Sequence, residues 1–309
     1  MITLQEERRL YREAQLLARQ YRGRTDVTDI EFGLKHTAGN LTDVWAIRFK
    51  VNKKKPESEL EKRDIFPKRI GPFMTDVLTA SATRETPGKT DPKMMIPPLM
   101  GGVQIQSGKY TEPDYWGTLG CFFPVKGKLM GLTNYHVLYG DNTSGFVEAN
   151  YAGRLAIFQP LTMTGNRIGT ASNLYDEKLD YALFELQIPT NASQHINLLP
   201  GQLGPSVYPR INMKVCKSGA RTGLTFGVID ARSCLNRSEL SIHIDAVAPG
   251  GILSDYGDSG AIWVLNDGAD SPRPVALHWG RGETRQWANA RSFAAILTSI
   301  HIKANHLQL

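Results

Sequence analysis

From Val103 to Ile300 the chain is written almost entirely in short apolar runs: GTLGCFFPV, KLMGLTNYHVL, YALFELQI, GLTFGVI, LSIHIDAVA, GAIWVL and PVALHWG. Gly, Pro, Asn and Asp punctuate them. Runs this short, closed by turn-forming residues, suit strands rather than helices, and many of them in sequence predict an all-β barrel or sandwich. The last segment, Ala290 to Asn305, contains SFAAILTSIHI and predicts a closing helix.

The first hundred residues read differently. Residues 1–24 are dense in charge, and a helical reading of the first 20 places Leu4, Leu10, Ala14, Leu17 and Ala18 roughly on one face. This is the pattern of an amphipathic helix that docks on the rest of the chain or on another subunit. Ile30 to Val51 alternates as a strand, with Trp45, Ile47, Phe49 and Val51 on one face and Ala46, Arg48 and Lys50 on the other. A short helix over Glu57 to Lys62 and a second strand through Thr75 to Leu78 complete a small α+β unit. Between Ala82 and Gly102 the sequence turns polar and proline-rich, as a linker or long surface crossing does. The domain boundary falls there, with residues 1–100 as an N-terminal helix, small α+β domain and linker, and 101–309 as the β domain.

Composition narrows the function classes. The N-terminal segment lacks the apolar core of a signal peptide, and no stretch approaches the length of a membrane span. A cytoplasmic address and no membrane span are expected. Cys121, Cys216 and Cys234 are odd in number, widely spaced and form no CxxC pair, which argues against a disulfide framework or a zinc site. No HExxH or paired Cys/His spacing exists, so metal catalysis is not expected, and no cofactor is expected either. The 36 Lys and Arg against 30 Asp and Glu give a formal charge of +6, with a local excess at Arg48 to Pro56. Nucleic acid could be met through Lys53, Lys54 and Lys55. The favoured reading is a solvated strand end and loop, because no aromatic residues interleave the lysines. His243, in LSIHIDAV, reads as a solvent-facing strand residue, and the KSGARTG stretch reads as a turn.

Three passages carry chemistry together: TNYHVL around His136, LDYALFEL around Asp180 and YGDSGAIWV around Ser259. A Ser-His-Asp catalyst needs a base to take the serine proton, a buried carboxylate to hold the imidazole, and backbone N–H groups to bind the oxyanion. His136 follows a strand-like run, Asp180 opens a buried one, and Ser259 lies in a Gly-Asp-Ser-Gly turn whose glycines can direct the N–H groups of Gly257 and Ser259 at one point. Each passage alone would be read as ordinary structure. Asp180 follows His136 by 44 positions and Ser259 follows Asp180 by 79.

In order and spacing these passages resemble the chymotrypsin-like (trypsin-like) serine proteases. GTLGCFF resembles the early strand before the catalytic histidine, and HWG resembles the strand beside which a substrate peptide pairs. The passages GLKHTAGN, FPKRIGP, TDVL, GTLGC, TNYHVL and SGARTGLTFGVI, spread over residues 30–300, more closely resemble the intracellular trypsin-like proteases of bacteria and plants that include the plant narrow-leaf protein. The resemblance implies a mainly β chain with a chymotrypsin-like double β-barrel, an added N-terminal domain and compatibility with a homo-oligomer. It implies His136, Asp180 and Ser259 as catalytic residues, Gly257 and Ser259 as the oxyanion hole, and Leu253, His278, Trp279 and Gly280 as substrate-binding residues. Leu253 at the base of the specificity pocket would favour an apolar or medium-sized P1 side chain over Lys or Arg. Asp255 nearby would reverse that preference if the alignment shifts. Asp258 matches the residue that receives a new N-terminal ammonium in secreted zymogens. The length of chain upstream of the barrels argues for other donors here. The expected function is an intracellular serine endopeptidase that cuts a specific protein partner, regulatory or part of a bacterial antiviral defence system. The alternative is a catalytically silent fold acting as a protein-interaction module.

Overall fold

The computed structural model describes residues 3–21, 23–37, 40–79, 82–84, 98–110, 112–140, 154–189, 192–233, 241–247 and 251–306. Helix α1 (Leu4–Gln20) opens on a capping box, in which the Thr3 side chain accepts from Glu6 N while Glu6 accepts from Thr3 N. Its Leu10, Ala14 and Ala18 are buried, and Tyr11 meets Phe32 with ring centroids 5.3 Å apart. The helix therefore docks on its own chain.

The single strand expected over residues 30–51 is a hairpin of β1 (Val27–Thr37) and β2 (Asn40–Val51), paired from Val27↔Val51 to Thr37↔Asn40. Two 3-10 turns, Glu57–Glu59 and Lys62–Asp64, stand where one short helix was expected. Next come β3 (Arg69–Ile70) and β4 (Phe73–Thr79), the latter parallel to β2. The linker stretch is strand at both described ends, as β5 (Ala82–Arg84) and β6 (Leu99–Gly101).

The first barrel is a curled seven-stranded sheet. It contains β7 (Gln104–Ser107), β8 (Gly117–Thr118), β9 (Cys121–Val125), β10 (Lys128–Thr133), β11 (Ala156–Gln159), β12 (Asn166–Asp176) and β13 (Tyr181–Leu186), in the order β8-β7-β11-β12-β13-β10-β9. Helix α2 (Tyr135–Tyr139) follows β10 directly, and β14 (Ala192–Ile196) pairs in parallel with β6. The second barrel comprises β15 (Lys214–Gly219), β16 (Gly223–Ser233), β17 (Ser241–Ala246), β18 (Ile262–Leu265), β19 (Pro274–Gly282) and β20 (Trp287–Ser292). Its order β15-β18-β19-β20-β17-β16 closes through a β15–β16 pairing. Helix α3 (Phe293–His306) packs its Ile296, Ile300 and Ala304 into a cluster with Leu132, Ile262 and Leu277, residues drawn from both barrels. The expected mainly β double barrel with a C-terminal helix is thus the observed fold. Cys121 and Cys216 are free and buried, and Cys234 lies outside the described residues.

The N-terminal unit is spliced onto the second barrel. β16 is long enough to pair with β15 through its first half and with β1 through its second, at Phe32↔Arg232 and Gly33↔Ala231. One apolar cluster joins Leu10, Phe32 and Phe49 to Ile229, Ile244 and Trp263. The charged face of β2 is also inside, which corrects the solvated reading of this stretch at Arg48 and Lys50. Arg48 Nη1 donates to Asp230 Oδ2 at 2.6 Å, Lys50 Nζ lies 2.9 Å from Glu31 Oε1, and His243 Nδ1 lies 2.6 Å from Asp230 Oδ1. His243 is therefore a buried partner of Asp230 rather than a surface residue. Buried ions cost several kcal/mol each unless paired, so β1, β2, β16 and β17 can close only in the register that matches these charges. Burial works against ionisation of Asp230, yet His243 and Arg48 more than offset it and hold the carboxyl well below its ordinary range.

Candidate active site

His136 sits in α2, immediately after β10, where the buried run ends at the barrel rim. Asp180 opens β13 from a left-handed backbone conformation, φ +51°, which Asp tolerates better than most residues. Asn134 Nδ2 donates to Asp180 O at 2.7 Å and fixes that kink. The Asp180 carboxylate is buried and takes two donors from one residue: His136 N at 3.1 Å on Oδ1 and His136 Nδ1 at 2.8 Å on Oδ2. With Nδ1–H donated to the carboxylate, the neutral ring has its lone pair on Nε2. That atom is buried and makes no hydrogen bond.

Ser259 is buried in the turn before β18. Gly257 and Gly260 on either side of the Asp-Ser pair have φ of +97° and +99°, and a Cβ would overlap the Trp116 ring at the first and Thr118 O at the second. The first barrel clamps this turn through Thr118, whose N donates to Ser259 O at 2.7 Å and whose Oγ1 donates to Gly257 O at 2.7 Å. The same contact locates the histidine. A Cβ on Gly117 would meet Val137 Cγ2 at 2.5 Å and Ser259 O at 3.0 Å, so α2 and the serine turn converge on one backbone position between the barrels.

Asp258 points the other way, into the second barrel, and is fully buried. Its carboxylate receives Lys217 Nζ at 2.8 Å, Thr222 Oγ1 at 2.6 Å and the backbone N–H groups of Arg221 and Thr222, each at 3.0 Å. Burial opposes its charge, but Lys217 and these donors hold the carboxyl below its ordinary value of 3.8. Sequence reasoning missed Lys217 and Thr222, because KSGARTG reads as a turn. The available signal was a lysine inside the apolar strand KVCKSG. The amides of Asp258, Gly260 and Ala261 are committed to Asp255 O, His278 O and Asp258 O.

Of the substrate-binding residues expected from the resemblance, three are consecutive in β19 and the fourth, Leu253, precedes a residue bonded to that strand. Leu253 belongs to the apolar core of the second barrel. His278 is fully buried, with Nε2 2.6 Å from Ser254 Oγ and Nδ1 accepting from Trp263 Nε1 at 3.3 Å. Trp279 is half-buried under Arg291, and Gly280 is buried in the sheet. Asp255 is engaged by Arg285 at 3.1 Å and Arg281 at 3.5 Å. Lys53, Lys54 and Lys55 lie in the N-terminal unit, around a cavity of about 590 Å³ that Asp26, Glu57, Asp64 and Asp76 also line. His36, Asp230 and Asp245 place one potential metal-ligating atom each within 4.8 Å of one another. Asp230 is already bound to Arg48 and His243, so a cation there would have to displace the arginine.

No family model matches the chain, and no curated protein matches it. Solved structures similar to it include a glutamic acid specific serine protease, at 14% identity and TM-score 0.44 over 66% of this chain and 98% of that one. Thermobifida fusca Protease A is similar at 15% identity and TM-score 0.43 over 65% and 95% of the two chains, and Cellulomonas bogoriensis chymotrypsin at 17% and 0.40 over the same shares. These likenesses are shallow. The strand pairing itself defines the architecture, a chymotrypsin-like double β-barrel with a helix at its C-terminal end.

Proposed function

We propose that the chain is a serine endopeptidase that cuts a specific protein partner through Ser259, His136 and Asp180. The observation that carries this is the His136 Nδ1 to Asp180 hydrogen bond, with a buried and unpartnered Nε2 on the same ring and a glycine-flanked serine turn converging on the same backbone position. In the reaction Ser259 Oγ attacks a peptide carbonyl carbon while His136 Nε2 takes the hydroxyl proton. Asp180 holds the ring and stabilises its positive charge. The Gly257 and Ser259 amides bind the oxyanion, His136 returns the proton to the leaving amine, and water then hydrolyses the acyl ester by the same route in reverse.

Lys217 supports a turn that is organised from within. The chain supplies its own cation to Asp258, so no new N-terminus is needed to shape the oxyanion site. The engagement of Asp255 by two arginines leaves no free carboxylate at that position to favour a basic P1 residue. The resemblance to intracellular proteases favours limited, regulatory cleavage over digestion, including a role in bacterial defence.

The test is to incubate a peptide library prepared from a proteome with the wild type and with Ser259→Ala, and to identify new termini by mass spectrometry. Cleavage by the wild type alone, without enrichment of Lys or Arg at P1, is the expected result. Cleavage that persists in Ser259→Ala would remove the serine from the mechanism, and no cleavage by either form would favour a silent interaction module.

A further inference from the structure

One edge of β19 changes partner along its length. It is taken by β18 through Leu277, opposite Ile262. At His278 the serine turn itself grips the strand, Gly260 N donating to His278 O at 3.0 Å and His278 N donating to Ala261 O at 2.9 Å. The opposite edge stays on β20 as far as Arg281↔Ala288. Beyond His278 the turn has departed, so a stretch of open backbone edge begins beside Ser259. It is filled by β5, antiparallel, with Gly280↔Arg84, Arg281↔Thr83 and Gly282↔Ala82.

An open strand edge captures extended polypeptide by adding a strand through main-chain hydrogen bonds. The antiparallel direction makes Arg84 the end of β5 nearest the serine turn. Gly280, its partner, stands two residues from His278, about 7 Å at a rise of about 3.3 Å per residue. The strand thus runs toward Ser259, as a peptide presented for cleavage must.

We propose that β5 occupies in cis the edge on which a substrate backbone pairs, so that the resting protein fills its own cleft and a protein substrate has to displace residues 82–84. This rests on the reading of Ser259 as the nucleophile. Three residues at a sheet edge form a competitor rather than a lock. The apparent affinity for substrate falls in proportion to the fraction of molecules whose edge is free. A partner that draws β5 away raises activity without touching the catalytic residues.

Successive residues of an antiparallel strand turn their N–H groups alternately toward and away from the neighbour, and proline is tolerated where the N–H faces away. Of Thr83→Pro and Arg84→Pro, one therefore breaks the ladder and the other is its control. The expected result is a rise of about tenfold in kcat/KM toward fluorescein-labelled casein in one variant alone, with loss of hydrogen-exchange protection at residues 280–282 in that same variant. Unchanged exchange in both variants would overturn the cis pairing. Lost protection without a change in casein turnover would overturn the assignment of this edge to substrate. A fluorophosphonate that labels none of the three proteins would instead remove the nucleophile reading, and the proposal would fall with it.

Discussion

At the scale of single residues, the site depends on two buried carboxylates with opposite duties. Asp180 faces the first barrel's rim and holds His136, while Asp258 faces inward and anchors the serine turn on Lys217. Replacing Asp180 with Asn keeps the shape but stabilises the wrong histidine tautomer. The expected loss in kcat/KM is about 10⁴-fold with unchanged thermal stability, measured by peptide turnover and calorimetry. Lys217→Met leaves an uncompensated buried carboxylate and should cost about 3–5 kcal/mol in urea unfolding, with much of it recovered in Lys217→Met/Asp258→Asn. The pH dependence has a definite sign. Asp258 in the folded protein lies below 3.8, so its contribution is present above that value and is lost as pH falls through the folded pKa. The stability gap between the wild type and Lys217→Met should therefore narrow on acidification. An equal gap at neutral and acidic pH would contradict this role for Lys217.

At the scale of elements, the strands of the two barrels were legible because their apolar runs and turn residues are local signals. The contact between His136 and Asp180 was legible because the resemblance of their passages to a known family pairs them across 44 positions. Buried charge was not legible. Arg48 and Lys50 occupy the polar phase of an alternating strand, and only the facing Glu31 and Asp230, the latter far away in the chain, turn that phase inward. The same limit hid Lys217, whose partner lies 41 residues further on. It also hid β5, because a polar stretch beside prolines gives no strand signal until a free edge receives it. Where β2 of the N-terminal unit meets β16 of the second barrel, Arg48→Met strands Asp230 and should lower stability by about 3–5 kcal/mol, read from chemical denaturation. A change under 1 kcal/mol would mean that His243 and solvent suffice for that carboxylate.

At the scale of the whole molecule, the N-terminal unit and the second barrel share a sheet and an apolar cluster, and α3 packs across the two barrels. Sequence composition places a boundary near residue 100, but α1, β1 and β2 cover Ile229, Ile244 and Trp263 from the other side of it. A chain reduced to residues 101–309 should therefore lose cooperative thermal unfolding and bind a hydrophobic dye. A truncated chain with a sharp transition close to that of the full protein would show that the second barrel closes its core alone. In the proposed function these units assemble one activated serine between the barrels. The most direct test is a fluorophosphonate probe on the full protein, with the adduct mapped by mass spectrometry in the wild type, Ser259→Ala and His136→Ala. Adduct on Ser259 of the wild type, with none in either variant, is the expected result; labelling at another residue, or undiminished labelling in His136→Ala, would contradict it.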